Sequence, residues 1–297
     1  MTNQCTLCPR ECRVDREYTT GVCGVGNKLK VARAALHFWE EPCISGTTGS
    51  GTVFFSGCSL QCVYCQNRQI ATGEIGKEIT SERLVEIFLQ LQEQGAHNIN
   101  LVTPGHYVDA LVPALRLAKA QGLMIPVVYN TGSYEKVESL QKLEGLVDVY
   151  LPDFKYFEGS LAKRYSKAPD YPKVAQAAIA EMVRQQPECT FVGEEHPLMT
   201  RGVLVRHLML PGCVEDSKAV LKYLYETYKD QIFISIMSQY TPLSHVADYP
   251  ELCTKVDRQE YDELVDYAIE IGIENGFIQE EDVAEESFIP SFDCEGV

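Results

Sequence analysis

The stretch GCSLQCVYCQN, residues 57–67, places three thiols in one short loop, at Cys58, Cys62 and Cys65. Three thiolates this close together can ligate three irons of a cubic [4Fe–4S] cluster and leave the fourth iron without a protein ligand. The alternatives are a zinc knuckle that lacks one ligand and three unrelated buried cysteines. The apolar run GTVFFSG, residues 51–57, leads into the loop as a strand would, and it therefore favours a positioned cluster.

The CxxxCxxC spacing, with an aromatic residue before the last cysteine, resembles the signature of the radical S-adenosylmethionine (SAM) superfamily. Within it, the chain resembles pyruvate formate-lyase activating enzymes, and among those an uncharacterised branch of iron–sulfur homologues. The resemblance implies a [4Fe–4S] cluster whose open iron chelates the amino and carboxylate groups of SAM. It also implies an external one-electron reductant of the flavodoxin or ferredoxin type, reductive cleavage of SAM to a 5′-deoxyadenosyl radical, and hydrogen abstraction from a substrate.

Composition restricts the classes of partner. The chain has 297 residues, 26 Lys and Arg against 42 Asp and Glu, and a formal net charge of −16, which disfavours binding to nucleic acid phosphates. No apolar run approaches the roughly 18 residues that cross a bilayer, and the stretch MTNQCTLCPREC has no apolar signal region. We therefore expect no nucleic acid or membrane partner, a cytoplasmic location, and cysteines that are metal ligands or reduced thiols.

Residues 1–49 are predicted to form a cysteine-rich metal-binding cap. Turn-forming residues without hydrophobic periodicity surround four cysteines, Cys5, Cys8, Cys12 and Cys23. Their spacing fits a structural zinc ion or a second iron–sulfur cluster and does not choose between them, and plain reduced thiols are the alternative. His37 and Cys43 are further candidate ligands, although a hydrogen-bonded histidine and a buried cysteine are the simpler interpretation. The stretch HFWEEPC, which contains the only tryptophan, is expected to dock the cap on the main body.

From Thr52 onward, strand and helix patterns alternate. Predicted strands cover residues 52–56, 98–102, 125–129, 147–151, 202–210 and 232–236. Predicted helices cover residues 81–94, 108–121, 134–143, 172–185 and 215–228, with others near residue 161 and over 261–268. Repeated βα units imply parallel strands. We therefore predict an α/β fold with a partial (β/α)6 TIM-like barrel over residues 50–276. An acidic C-terminal tail follows over 277–297, in which Phe288 and Phe292 suggest docking.

Barrels of this kind carry their chemistry on the loops that follow the strands, and these loops supply cofactor-binding candidates. Tyr64 lies where the family places a contact with the SAM adenine, and simple packing is the alternative. Many relatives have a Gly-Gly-Glu turn that binds the SAM amino group where this chain has TPGHY, so only backbone carbonyls and a hydroxyl at Thr103 and Pro104 remain for that role. Asn130 and Ser133 suit ribose hydroxyls, although turn chemistry selects the same residue types.

The later loops supply the remaining candidates. LPDFKY resembles the Asp-x-Lys segment of the activating enzymes, so Asp153 and Lys155 can orient SAM, bind a cation or form an ordinary ion pair. Arg206 in VRHLMLPG corresponds to the family position that contacts the SAM carboxylate, and a buried guanidinium needs such a partner. Gln239 and Tyr240 close the ring of loops. Together with Asp153 and Lys155 they are the candidates for the substrate pocket.

Three functions remain open for the chain. The first is a radical SAM enzyme that activates a glycyl-radical enzyme, and therefore acts on a protein. The second is a radical SAM enzyme that modifies a small molecule or a peptide. The third is a non-catalytic iron–sulfur sensor or electron carrier. Formation of 5′-deoxyadenosine separates the first two from the third, and only the first predicts a glycine-centred radical on a partner protein.

Overall fold

The computed structural model of the protein describes residues 4–278 and 290–297. In these residues, no helix is long and apolar enough to cross a membrane. The strands are β1 Leu29–His37, β2 Ser50–Phe55, β3 Lys77–Ile79, β4 Ile99–Val102, β5 Val127–Thr131, β6 Val149–Pro152, β7 Thr190–Val192, β8 Leu198–Leu208, β9 Phe233–Met237 and β10 Gly276–Ile278. The helices are α1 Pro42–Ser45, α2 Arg68–Ala71, α3 Ser81–Glu93, α4 Val108–Ala120, α5 Val137–Gln141, α6 Gly159–Ser166, α7 Tyr171–Gln185, α8 Val214–Tyr228 and α9 Arg258–Glu270.

The strands form one mostly parallel sheet that does not close. Their order is β10-β9-β8-β6-β5-β4-β2-β1-β3, and β7 pairs with β8 outside this path. Every neighbouring pair from β2 to β10 is parallel, whereas β1, β3 and β7 pair antiparallel. The six predicted strands correspond to β2, β4, β5, β6, β8 and β9. They are neighbours in the sheet in the same order as in the sequence. The predicted α/β fold with an open barrel-like sheet is therefore confirmed.

The sheet extends beyond the predicted barrel at both ends. Strand β1 lies within residues 1–49, and it pairs antiparallel with β2 from Val31 to His37. Strand β10 extends to Ile278, past residue 276, and pairs parallel with β9. The division into a cap, a barrel and a tail stays a prediction, but the sheet itself begins at Leu29. Strand β1 was missed because its sequence, LKVARAALH, places Arg33 and His37 in an otherwise apolar run.

Local signals explain where an outer helix begins. In α3, the residues that the spacing predicts to be apolar are buried on one face, namely Leu84, Ile87, Phe88 and Leu91. The N-cap is Thr80, whose hydroxyl accepts a hydrogen bond from the backbone N–H of Arg83 at 3.2 Å. Helix α3 therefore begins at Ser81, the first residue of the predicted helix.

The two faces of the sheet have different cores. Outward-facing residues such as Val53, Leu101 and Tyr129 pack with the helices in one large apolar cluster. The opposite, inner face holds a smaller cluster in which Val128 and Leu204 contact Cys43 and Ile44. Short helix α1 thus covers part of the inner face. The polar residues of β5 and β8 that lie beyond this cluster therefore face an interior that is already partly filled.

The described part of the C-terminal tail is docked on the sheet. The N–H of Cys294 donates to the carbonyl of Ala32, and the N–H of Ala34 donates to the carbonyl of Glu295. Arg33 forms ion pairs with the carboxylates of Asp293 and Glu295. Phe292 packs edge-on against Phe54 at 5.4 Å between ring centroids. The expected docking through Phe292 is therefore observed, whereas Phe288 lies outside the described residues.

Candidate functional site

The three predicted cluster ligands lie on the loop between β2 and α2, at the carboxyl edge of the parallel strands, where barrels place their chemistry. The pKa of Cys65 is raised to about 12, first by burial and then by the charges of Cys62 and Cys58. The charge of Lys155 opposes this rise. Burial and the charge of Cys62 also raise the pKa of Cys58, and Lys155 again lowers it. Three sulfurs and one ammonium group therefore act on one another in a single site.

The chemistry of this set fits a [4Fe–4S] cluster. In the part of the chain that the structure describes, no three His, Cys, Asp or Glu side chains already have the arrangement of a metal site. The loop nevertheless brings three thiols into mutual electrostatic contact, and bound iron would replace their protons. Thiolates carry negative charge, and the nearby Lys155 supplies a compensating positive charge. Cys58, Cys62 and Cys65 are thus the residues that would hold the cluster.

The N-terminal segment holds the cluster loop in place. The carbonyl of Cys23 accepts a hydrogen bond from the N–H of Cys58 at 3.1 Å. The guanidinium of Arg10 donates to the carbonyl of Ser59 at 2.8 Å and to that of Ser166 at 2.7 Å. Arg10 therefore ties the loop to the end of α6, and the predicted cap contacts the predicted cluster site directly.

A chain of hydroxyl groups reaches one cluster ligand. Ser166 donates a hydrogen bond to the sulfur of Cys62 at 3.1 Å, and its oxygen lies 2.8 Å from the hydroxyl of Tyr156. Tyr156 in turn donates to the hydroxyl of Tyr64 at 2.8 Å. The ring of Tyr64 is buried, with Tyr240 at 6.3 Å between centroids. The structure therefore places Tyr64 in an aromatic cluster, and its predicted contact with adenine stays a prediction.

We expect Ser166→Ala to lower the midpoint reduction potential of the reconstituted cluster. A hydrogen bond to a ligating sulfur stabilises the reduced, more negative form, and the variant removes that bond. A redox titration followed by electron paramagnetic resonance measures the shift. Ser133→Ala serves as the control, since the structure gives Ser133 no contact with a cluster sulfur among the described residues. An unchanged potential in Ser166→Ala would remove Ser166 from this role.

The loops after β4 and β5 contain strained backbone. Thr103 and Ser133 have positive φ values of 58° and 61°, and Gln61 in the cluster loop has a φ of 48°. Such conformations are costly for residues other than glycine and concentrate at functional sites. The buried hydroxyl of Ser133 has no hydrogen-bond partner among the described residues, which fits a ligand hydroxyl. The turn at Ser133 also delays helix α5, which begins at Val137 and not at the predicted residue 134.

The predicted TPGHY turn packs against a carboxylate that the sequence did not reveal. Glu135 is buried directly over Gly105, so any side chain at position 105 would collide with its carboxylate. The hydroxyl of Thr131 donates to Glu135 at 2.7 Å. Burial raises the pKa of Glu135 to about 7, although hydrogen bonds from Thr131 and Tyr129 lower it. The turn thus lacks its own carboxylate but has one from the next loop. Pro104 is buried beside it.

The raised pKa of Glu135 predicts a pH dependence of stability. The folded chain keeps this proton up to about pH 7, whereas the unfolded chain loses it near 4.5. The stabilisation is therefore complete below the unfolded value and is lost as the pH rises through about 7. Glu135→Gln cannot ionise, so its unfolding free energy relative to the native chain should rise over this pH window, by on the order of 3 kcal/mol.

Urea unfolding at several pH values measures this difference. Glu138→Gln, at an exposed position of α5, is the matched control and should follow the native pH profile. If Glu135→Gln and the native chain give parallel profiles, the carboxyl of Glu135 does not titrate in this window.

Arg206 is the centre of a buried polar network on the inner face. Its Nε atom donates to Asp153 at 2.9 Å, Nη1 donates to Glu40 at 2.9 Å, and Nη2 donates to Asn130 at 2.8 Å. Lys155 forms an ion pair with the other oxygen of Asp153 at 2.6 Å. The structure therefore brings four predicted residues together. In this network the guanidinium of Arg206 is satisfied by the protein's own groups, and its contact with SAM stays a prediction.

Glu40 and Glu41 were missed by the sequence analysis. In HFWEEPC, Trp39 is 60% exposed and Phe38 is 50% exposed, whereas Glu41 is only 8% exposed. The stretch contacts the main body through its charged residues, which turn inward because Arg206 neutralises them. Burial raises the pKa of Glu41 to about 7, and the Arg206 charge opposes this rise. The spacing of the sequence gives no signal for such a contact.

The remaining predicted residues border the cluster loop or are structural. The side chain of Gln66 donates to the backbone carbonyl of Gln239 at 3.2 Å. The hydroxyl of Tyr240 donates to the carbonyl of Leu252, so this side chain has a structural partner. Cys43 belongs to the inner core and His37 packs on Phe54, and in the described structure neither joins the four cap cysteines. The substrate-pocket role of Gln239 and Tyr240 stays a prediction.

Two features define the class of this protein. One is an open, mostly parallel α/β sheet, and the other is a set of three thiols on the loop after its first parallel strand. Residues 52–192 match the family model of the Radical SAM superfamily. The matched residues include the whole cluster loop.

Relatives with curated names extend the match. An uncharacterized protein of Methanocaldococcus jannaschii is 26% identical over 271 residues, which are 89% of this chain and 74% of that protein. A pyruvate formate-lyase-activating enzyme of Clostridium pasteurianum is 33% identical over 93 residues, which are 29% of this chain and 39% of that enzyme. The similarity to the activating enzyme is therefore limited to a minor part of both chains.

Solved structures share the fold. Streptococcus suis SuiB bound to S-adenosylmethionine aligns with a TM-score of 0.52 and 15% identity, over 76% of this chain and 48% of SuiB. SuiB bound to its precursor peptide SuiA aligns with a TM-score of 0.51 and 15% identity, over 76% of this chain and 47% of SuiB. The chain thus spans about half the length of SuiB. At this identity, the likeness shows the fold alone.

Proposed function

We propose that this protein is a radical SAM enzyme that holds a [4Fe–4S] cluster at Cys58, Cys62 and Cys65 and cleaves SAM reductively for hydrogen abstraction. The observation that carries the proposal is the position of these three thiols within a radical SAM domain, at the carboxyl edge of the parallel strands. A low-potential cluster with one open iron supplies the electron that converts SAM to methionine and a 5′-deoxyadenosyl radical. A flavodoxin or ferredoxin type of protein would reduce the cluster.

The protein's own groups would position SAM and compensate charge. Lys155 provides a positive charge beside the three thiolates. The unpartnered hydroxyl of Ser133 is available to a ribose hydroxyl, and the strained turn at Thr103 presents backbone groups beside the cluster loop. Arg206 and Asp153 keep the inner face polar and hydrogen-bonded next to this site. These groups would orient SAM and exclude water, which protects a reactive radical.

The proposal is tested by SAM cleavage. Protein reconstituted anaerobically with iron and sulfide, then reduced with dithionite, should convert SAM to 5′-deoxyadenosine and methionine in a chromatographic assay. A sample with full iron and sulfide content that binds SAM but forms no 5′-deoxyadenosine would contradict the proposal. That outcome would leave a non-catalytic iron–sulfur sensor or electron carrier as the function.

Activation of a glycyl-radical enzyme is the candidate that a specific observation favours. That observation is the 33% identity to a pyruvate formate-lyase-activating enzyme over 93 residues. If this candidate is correct, incubation with the partner enzyme, SAM and a reductant gives the electron paramagnetic resonance doublet of a glycine radical. Consumption of SAM with a peptide or small molecule, without such a radical, would favour the other substrate class.

A further inference from the structure

We propose that Cys5, Cys8, Cys12 and Cys23 bind one zinc ion as four thiolate ligands, and that this ion fixes the segment that supports the cluster loop. The assignment of the zinc site does not depend on the proposed function. The effect of the zinc ion on the cluster loop does depend on the proposed function. Within residues 4–28, the structure contains no helix and no extended strand, so turns and contacts with the main body would otherwise hold this segment.

Backbone hydrogen bonds fold the first three cysteines toward one another. The N–H of Cys5 donates to the carbonyl of Val14 at 2.9 Å, and the N–H of Arg13 donates to the carbonyl of Cys5 at 3.0 Å. A further turn links the N–H of Glu11 to the carbonyl of Cys8 at 3.1 Å. As a result, the side chain of Cys5 lies close enough to Cys12 to contribute to the lowered pKa of the Cys12 thiol.

The fourth cysteine arrives from a separate turn. A Cβ atom built on Gly21 would lie 3.2 Å from the sulfur of Cys23 and 3.4 Å from that of Cys12, so the two sulfurs share one small space. Cys8 and Cys23 are 8% and 6% exposed, and their charges act on each other and on Cys5. Four cysteines from two separate turns therefore lie close together, and two of them are buried.

The crowding of these sulfurs favours a cation between them. Cys8 and Cys23 are buried, and the sulfurs of Cys12 and Cys23 both lie against Gly21. Thiolates packed this closely repel one another unless a cation lies between them. A metal ion supplies that cation and takes the place of the thiol protons.

The number and type of ligands fit zinc, and acid-labile sulfide distinguishes the alternative of a second iron–sulfur cluster. Zinc in structural sites is tetrahedral, is commonly bound by four cysteines, and leaves no position open for a substrate. The Cys5-x-x-Cys8 spacing matches the chelating turns of such sites. In the described structure, the four cysteine side chains do not yet have the arrangement of a metal site. Metal binding therefore requires these side chains to reorient toward one another.

The position of the site gives it a second consequence. The carbonyl of Cys23, a proposed zinc ligand, accepts the hydrogen bond of the N–H of Cys58, a proposed cluster ligand. Gly57 has a φ of 89° and lies so close to the carbonyl of Cys23 that a side chain there would collide with it. One hydrogen bond thus joins the two metal sites. Loss of zinc should therefore weaken the cluster loop.

The zinc site is tested in a chain that cannot bind the cluster. The triple variant Cys58→Ser, Cys62→Ser, Cys65→Ser should retain one zinc per chain by elemental analysis, and no acid-labile sulfide. Adding Cys12→Ser should remove this zinc, whereas adding Cys189→Ser, outside the cap, should not. Absence of zinc from the triple variant, its retention after Cys12→Ser, or iron with sulfide at this site would each overturn the proposal.

A second variant covers the case in which Cys12→Ser does not fold. Gly21→Ala keeps all four cysteines but adds a Cβ against two of the sulfurs, so zinc should be released to a chelator at a lower chelator concentration. Gly26→Ala is the control, since its added Cβ would meet the carbonyl of Arg16 and no sulfur. Cobalt substitution provides an independent readout, because tetrahedral Co²⁺ with thiolate ligands gives intense visible bands. Equal chelator sensitivity of the two glycine variants would contradict the site.

In the chain with intact cluster cysteines, Gly21→Ala should also lower the iron content after reconstitution. Unchanged iron content with weakened zinc binding would overturn the coupling between the sites. If the triple variant keeps its zinc while the native chain shows no SAM cleavage, the zinc proposal stands and the proposed function fails.

Discussion

Replacing Cys58, Cys62 or Cys65 with serine is expected to abolish the cluster and reduce SAM cleavage to the background level. Each thiol holds one iron, and a cluster that already lacks a protein ligand at its fourth iron cannot lose another without falling apart or exchanging its ligands. Iron and sulfide analysis after anaerobic reconstitution should show loss of essentially the whole cluster. The electron paramagnetic resonance signal of the reduced cluster should disappear with it.

The matched control is Cys189→Ser. The thiol of Cys189 donates to the carbonyls of Val203 and Gln231, and a serine hydroxyl can make similar bonds. This variant should keep the iron content and the activity of the native chain. Full SAM cleavage by any of the three loop variants would disprove the assignment of that cysteine as a ligand.

Arg206→Ala should destabilise the folded chain by roughly 3–5 kcal/mol, because it removes one partner from a buried network of charges. The side chains of Arg206, Glu40 and Asp153 are only 15%, 10% and 17% exposed, so water cannot replace the lost contacts fully. Lys155 still pairs with Asp153, but Glu40 loses its ion pair. Urea unfolding of the variant and the native chain measures the difference in free energy.

Arg201→Ala is the control on the same strand, at an exposed position, and should change the stability little. The double variant Arg206→Ala, Asp153→Asn should be less destabilised than the sum of the single variants, since the two residues share a contact. A loss of SAM affinity without a loss of stability would contradict the network role. It would instead support direct contact between Arg206 and the SAM carboxylate.

The cluster loop and the parallel sheet could be predicted because their signals are local. Cys58, Cys62 and Cys65 are neighbours in sequence, so the spacing alone brings their sulfurs together. The apolar runs of the parallel strands likewise reveal the βα units, since β4, β5 and β6 are buried along their whole length. Strand β1 was not predicted, because its alternation of apolar and polar residues is interrupted and its partner strand is antiparallel.

The partners of the site could not be predicted because they depend on contacts between distant residues. Glu40 and Arg206 are 166 positions apart, and no pattern in either segment refers to the other. Glu135 meets Gly105 only after two parallel strands are aligned side by side. In HFWEEPC, hydrophobicity predicts that the aromatic residues are inside, but the charge of Arg206 reverses this preference for Glu40.

The pairing of the described tail with β1 has a consequence for the order of folding. Residues 293–295 complete hydrogen bonds at Ala32 and Ala34, so contacts form between the two ends of the described chain. Such contacts join residues that are far apart in sequence and form late. During synthesis, this edge of β1 therefore stays uncovered until the tail has been made. An uncovered strand edge invites association with other chains, so the docked tail protects the completed protein, and not the nascent chain, from aggregation.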